Sequence, residues 1–103
     1  MNTWNRLLIL GLLALLTACS SAGESLYTAN CSGCHDTGRA NTPPFSNTTY
    51  WQQRRALPYD QLLQHSIQGY TGSYGIHPPR GGYPAMTDEE VKLAMDYLLE
   101  RSQ

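Results

Sequence analysis

Two cysteines and a histidine stand close together in the segment Cys31-Ser32-Gly33-Cys34-His35. Two thiols at this spacing, followed at once by an imidazole, suit three kinds of chemistry: covalent attachment of a haem, part of a zinc site, or a redox dithiol. Each of these uses requires a different setting in the rest of the chain. The surrounding sequence therefore decides between them.

The surroundings favour haem attachment. A thioredoxin-like dithiol requires a βαβ unit, and the sequence shows no strand pattern. A zinc site requires a second pair of ligands, for which only His65 and His77 remain, and the consecutive Cys34 and His35 do not easily bind one ion. We therefore predict one covalent haem c. Its two thioether links come from Cys31 and Cys34, and His35 is an axial ligand of the iron.

The elements that must position this motif are helices joined by long loops. Helical spacing of apolar residues predicts helices over 23–31 and 59–68, one or two turns over 51–56, and a terminal helix that follows Thr87. Thr87 and Glu90 stand at the positions of a capping box. The segments between are rich in Gly, Pro and Asn, which is typical of loops. The sequence thus predicts a small all-α domain of three to four helices.

The N-terminus has the features of an export signal. A single positive charge, Arg6, precedes an uncharged apolar run over 7–16. About twenty apolar residues are needed to cross a bilayer, so this run is too short for a permanent transmembrane helix. We predict a cleaved signal peptide over 1–18.

The end of the apolar run, Leu16-Thr17-Ala18-Cys19, resembles the lipobox of bacterial lipoproteins. The resemblance implies that Cys19 becomes the lipid-modified first residue of the exported protein. It also implies, from Ser20 at the next position, transport to the outer membrane. An ordinary signal peptide that happens to contain a cysteine is the alternative.

This interpretation divides the chain into the signal peptide, a lipidated cysteine with a short tether over 19–22, and one domain over 23–103. All three cysteines then have a role, so no disulfide is required. The chain has seven Lys and Arg against eight Asp and Glu, without a basic stripe, so a nucleic acid is not an expected partner.

Further motifs flank the haem-attachment sequence: Gly23-Glu-Ser-Leu-Tyr27, Trp51-Gln-Gln-Arg54, His77-Pro78-Pro79-Arg80-Gly81-Gly82 and Thr87-Asp-Glu-Glu90. Their order resembles that of class I c-type cytochromes, most closely the small bacterial c-five type, over nearly all of 23–103. The resemblance implies a monohaem electron carrier rather than an enzyme. It also implies a close crossing of the first and last helices, with Gly23 and Tyr27 against Tyr97.

The resemblance also implies roles for residues around the haem. Trp51 and Arg54 match family residues that reach a haem propionate, for which an indole donor and a guanidinium are suited. The carbonyl of Pro43 or Pro44 is expected to accept a hydrogen bond from the far nitrogen of His35.

The second axial position is where the sequence departs from the family. The family has a Met in the loop before the last helix, and this chain has His77 there, stiffened by two prolines. Met86, immediately before the helix cap, is suited to packing against Val91 as a hydrophobic staple. We favour His35 and His77 as an axial pair; Met86 and an open or water-filled position remain alternatives. Two imidazoles predict a lower potential than a thioether ligand would give.

Together these features predict a membrane-anchored periplasmic electron-transfer protein that docks transiently with protein donors and acceptors. A haem-based sensor of small ligands, or the haem subunit of a larger redox enzyme, is the alternative. A sensor would require a displaceable His77.

Overall fold

The computed structural model describes residues 22–103. The predicted signal peptide and Cys19 lie outside these residues. The described part contains five α-helices, one two-stranded hairpin and two short 3-10 helices. The α-helices are α1 (22–30), α2 (Ser32–His35), α3 (Thr48–Arg55), α4 (Tyr59–Gln68) and α5 (Asp88–Arg101). The strands are β1 (Tyr70–Gly72) and β2 (Gly75–His77), and the 3-10 helices are Arg39–Asn41 and Pro79–Gly82.

The predicted helical fold is confirmed. α4 has the expected bounds, because Gly69 follows it with a φ of 89°, which favours glycine. α3 begins earlier than expected, since the side chain of Asn47 accepts a hydrogen bond from the Tyr50 amide and caps the helix at that point. At α5 the Thr87 hydroxyl accepts from the Glu90 amide at 3.1 Å.

The expectation that 69–83 contains no strand is wrong. β1 and β2 pair in antiparallel fashion, with Tyr70 opposite His77, Thr71 opposite Ile76 and Gly72 opposite Gly75. Strands of three residues are too short to show the alternation of polar and apolar residues by which strands are recognised. The tight turn and its pairing are decided by the packing of the chain around it.

The apolar core lies where α1 and α5 cross. Its buried members are Tyr27, Trp51, Met86, Val91, Ala94 and Leu98. The rings of Tyr27 and Tyr97 have centroids 5.3 Å apart. A Cβ on Gly23 would lie 2.9 Å from the carbonyl oxygen of Leu93, so the crossing requires glycine. The predicted close crossing is confirmed. No helix in the described part of the chain is long and apolar enough to span a bilayer.

We expect Gly23→Val to lower the free energy of unfolding by about 1–3 kcal/mol, because the side chain would collide with the backbone of α5. Chemical denaturation followed by circular dichroism measures the change. Ser25→Val is the matched control, since Ser25 lies on the exposed side of the same helix. Equal losses in the two variants would contradict the steric explanation.

Candidate haem site

The cysteine and histidine motif lies at the junction of α1 and α2. The Cys31 amide donates to the Tyr27 carbonyl at 2.8 Å, and the His35 amide donates to the Cys31 carbonyl at 3.1 Å. This single helical turn leaves the Cys31 thiol half-buried and the Cys34 thiol exposed, while His35 is only 7% exposed. The motif thus presents two thiols and one buried imidazole to the same region of the domain.

His35 is held in one tautomer by the loop that precedes α3. Its Nδ1 lies 3.0 Å from the carbonyl oxygen of Pro43. Pro43, rather than Pro44, therefore supplies the carbonyl that accepts this hydrogen bond. A carbonyl only accepts, so Nδ1 is the protonated nitrogen and Nε2 keeps a free lone pair. Burial lowers the pKa of His35, which favours the neutral form that binds metals.

His77 lies opposite His35. It occupies the last position of β2, and the centroids of the two imidazole rings are 6.0 Å apart. Burial lowers the pKa of His77 as well. Its Nδ1 is buried and has no hydrogen-bond partner within 22–103. An unpaired buried polar atom is costly in a folded protein, so water or a bound group would stabilise this nitrogen.

Two cavities meet at these histidines. One, of about 300 Å³, is lined by Cys31 and Cys34, and the other, of about 120 Å³, is lined by Arg54; both are lined by His35 and His77. Together they form a space that runs from the thiols, past both imidazoles, to the guanidinium. Ligand pockets commonly measure about 300–1,000 Å³, and the two cavities together fall within that range.

Arg54 lies at the far end with its charge unpaired. The guanidinium lies 4.9 Å from the centre of the Tyr50 ring and 5.5 Å from that of Tyr70. Its Nε is buried without a hydrogen-bond partner, and neither ion pair found in the described residues includes it. Its Nη1 donates to the Tyr70 hydroxyl at 3.4 Å. A half-buried cation without an acidic partner among the described residues suits a carboxylate supplied by a bound group.

Trp51 is buried beside His35, with ring centroids 5.6 Å apart. Its indole Nε1 donates to the Pro44 carbonyl at 2.9 Å. Because an indole has a single N–H, the donor that the resemblance assigned to a propionate already has a partner here. In this arrangement Trp51 contributes packing against His35 and holds the loop that orients it.

Met86 is buried at the thiol end of the space. It belongs to the same apolar cluster as Val91, as its position before the Thr87 cap predicts. Its carbonyl accepts from Arg80 at 2.9 Å, and its side chain lines the larger cavity together with both histidines. The structure therefore brings His77 and Met86 to the same cavity.

The two rival chemistries find little support in the geometry. Burial raises the pKa of Cys31 to about 11, whereas reactive dithiols have lowered thiol pKa values. Within residues 22–103 no three His, Cys, Asp or Glu side chains come together as a zinc site would require. His65 lines the cavity beside Arg54, where its ring is stacked on Tyr70 with the ring centroids 4.1 Å apart.

Sequence reasoning missed the tyrosines around Arg54. Tyr50, Tyr70 and Tyr74 surround the guanidinium end of the space, and only Tyr50 left a sequence signal, since it precedes Arg54 by one helical turn. Tyr70 and Tyr74 belong to the hairpin, which the sequence did not indicate. Their positions depend on the tertiary fold.

Comparison with known proteins agrees with this geometry. The family model described as cytochrome c matches residues 20–102. The chain is 33% identical to cytochrome c-555 of Chlorobaculum thiosulfatiphilum over 82% of its length and 98% of that protein. It is 34% identical to cytochrome c-555 of Chlorobaculum tepidum over 82% of its length and 78% of that protein.

A solved structure is also similar. One chain of a crystal structure described as an electron transfer complex of nitrite reductase with cytochrome c superposes with a TM-score of 0.68 at 33% identity, covering 80% of this chain and 95% of that one.

The chain belongs to the cytochrome c family. It is a monohaem class I c-type cytochrome, with one covalently bound haem c, and it transfers electrons rather than acting as an enzyme. The space between the thiols and Arg54 fits this group, since two thiols and a buried imidazole line one part of it and a cation lines the other.

Proposed function

We propose that the protein is a lipid-anchored periplasmic electron carrier with His35 and His77 as its two axial ligands. The observation that carries the proposal is the 6.0 Å separation of the two imidazole centroids. Metal–imidazole bonds are about 2 Å long, so two rings that bind one ion from opposite sides have centroids about 6 Å apart. The haem supplies a one-electron couple, and the protein sets its potential.

Three features of the chain support a low potential. His35 is held as a neutral ligand by the Pro43 carbonyl, which increases the basicity of the imidazole. His77 offers a second nitrogen ligand in place of a thioether, and thioethers raise the potential. Met86, the alternative, is packed in the core with Val91 and would have to leave that cluster.

His77→Met tests the axial pair. In the wild type we expect an electron paramagnetic resonance spectrum typical of low-spin iron with two imidazoles. In the variant we expect a near-infrared sulfur-to-iron absorption band and a reduction potential higher by about 0.1 V or more. Met86→Leu is the matched control and should leave the wild-type spectrum unchanged. A sulfur-to-iron band in the wild type that Met86→Leu abolishes would assign the position to Met86.

A second proposal concerns Arg54, which we assign to a haem propionate. The buried Nε without a partner, and the two tyrosine rings that hold the guanidinium, support it. A fixed positive charge at this end would favour the reduced state, because reduction adds a negative charge nearby.

We therefore expect Arg54→Met to lower the reduction potential by about 50 mV, as a unit charge near the iron predicts in a medium of intermediate dielectric constant. Potentiometric titration measures the shift. Arg101→Met removes an exposed charge near the end of α5 and should change the potential by far less. Equal shifts in both variants would show that only net charge matters.

The membrane anchor rests on the sequence around Cys19. Only Ser20 to Ala22 separate this cysteine from Gly23, and at about 3.6 Å per extended residue the tether reaches roughly 15 Å. A domain on so short a tether would lie against the lipid surface, and its partners would meet it there. Stable anchoring requires more than one acyl chain, as lipoproteins provide.

Cys19→Ala tests the anchor. We expect the wild type to incorporate labelled fatty acid and to fractionate with membranes, preferentially outer membranes, and the variant to incorporate no label while its haem is still attached. Cys31 and Cys34 are unchanged in this variant, so its visible spectrum is an internal control for maturation. Fatty-acid labelling of Cys19→Ala at the wild-type level, or a wild type without label, would contradict lipid anchoring.

We also propose that the protein exchanges electrons with protein donors and acceptors in short-lived complexes. The similar chain found in an electron transfer complex of nitrite reductase with cytochrome c supports this class of partner. Such contacts are small and weak. Co-purification as a stable stoichiometric subunit of an enzyme would contradict it, and rapid, complete binding of carbon monoxide to the reduced protein would favour a sensor.

A further inference from the structure

Two asparagine side chains donate hydrogen bonds to the hairpin that carries His77. The Nδ2 of Asn41 donates to the backbone carbonyl of Tyr74 at 2.6 Å, and the Nδ2 of Asn47 donates to the Tyr74 hydroxyl at 2.8 Å. Tyr74 lies in the turn between β1 and β2, three residues before His77. We call Asn41, Asn47 and Tyr74 the Tyr74 clasp.

The clasp connects the hairpin to the same loop that orients the other histidine. Asn41 and Asn47 flank Pro43, whose carbonyl accepts from His35 Nδ1 at 3.0 Å. One loop thus holds His35 directly and His77 through Tyr74. The distance between the two imidazoles depends on this shared support.

The backbone on the Asn41 side is strained. Ala40 has a φ of 54° and Asn41 a φ of 56°, in the left-handed region that residues other than glycine adopt at a cost. Such conformations persist where the surrounding structure requires them, and often at functional sites. Here they direct the Asn41 amide at the carbonyl of the turn.

The hairpin has few other attachments near its turn. Each strand has three residues, and Ile76, next to His77, is 80% exposed. An isolated two-stranded hairpin is at best marginally stable in water. The ring of Tyr74 packs edge-on against Tyr50 at 5.1 Å, which adds one apolar contact beside the two hydrogen bonds of the clasp.

We propose that Asn41, Asn47 and Tyr74 are positioning residues that keep His77 in place as an axial ligand and set how often it dissociates. This inference rests on the proposed His35 and His77 pair. The hairpin moves away from the loop when His77 leaves, and the clasp resists that movement. Without the clasp the resting ligand set is the same, but His77 is displaced more readily.

The test measures carbon monoxide binding to the reduced holoprotein in a stopped-flow instrument. At saturating carbon monoxide the observed rate equals the rate at which the sixth ligand leaves. Tyr74→Phe removes the hydroxyl that accepts from Asn47. Asn47→Ser removes the same hydrogen bond but keeps a residue that can cap the helix. Asn41→Gly removes the amide that donates to the Tyr74 carbonyl and keeps a residue suited to positive φ.

We expect each single variant to raise the saturating rate about fivefold, as the loss of one hydrogen bond predicts, and Asn41→Gly/Tyr74→Phe to raise it at least about tenfold. The paramagnetic resonance spectrum of the oxidised variants should still show two imidazoles. Ala40→Gly is the matched control for backbone flexibility, and Tyr83→Phe, at a tyrosine 47% exposed, is the control for loss of a hydroxyl.

Three distinguishable outcomes would contradict either the proposed axial pair or the role of the clasp. A wild-type protein without the bis-imidazole spectrum would overturn the proposed axial pair. With that spectrum present, a double-variant rate within about twofold of Ala40→Gly would overturn the clasp alone. An equal acceleration in Gly23→Val, which weakens the distant helix crossing, would show that general instability rather than the clasp controls His77.

Discussion

The hydrogen bond from His35 Nδ1 to the Pro43 carbonyl is the contact on which the rest of the site depends. It fixes the tautomer of a buried imidazole, and it ties the cysteine motif to a loop that reaches the opposite side of the domain. Trp51 holds the neighbouring Pro44 carbonyl, and Asn41 and Asn47 hold the hairpin. Segments that are distant in sequence thereby meet around His35.

The interior of this domain consists of a small apolar cluster and a space suited to its cofactor. The buried apolar cluster is small, and the two cavities lie beside it, lined in part by Ala94, Met95 and Leu98 from α5. A chain of this length buries too little apolar surface to be robust alone. A covalently attached haem supplies apolar surface that the sequence lacks, so attachment and folding are physically coupled.

Two buried polar atoms, His77 Nδ1 and Arg54 Nε, lack partners within 22–103. Folded proteins rarely leave such atoms unpaired, because each costs free energy. Both residues line the same cavity, where the proposed haem ligand and propionate partner would lie. The tyrosine rings around Arg54 hold the guanidinium without neutralising it, so its charge stays free for a carboxylate.

The sequence by itself determined the features that depend on residues close together along the chain. The spacing of Cys31, Cys34 and His35 predicted haem attachment, and capping and apolar periodicity predicted α4 and α5, because these signals act within a few residues. The family resemblance, with Gly23 and Tyr27 on the first helix and Tyr97 on the last, implied the close helix crossing.

Only the tertiary structure decided the partners of side chains distant in sequence. The β1–β2 hairpin, the choice of Pro43 over Pro44, the donation of Trp51 to Pro44 and the Tyr74 clasp all join segments that the sequence presents separately. Three-residue strands carry no periodicity, and loop carbonyls carry no residue-specific signal, so such contacts are settled when packing brings the loops together.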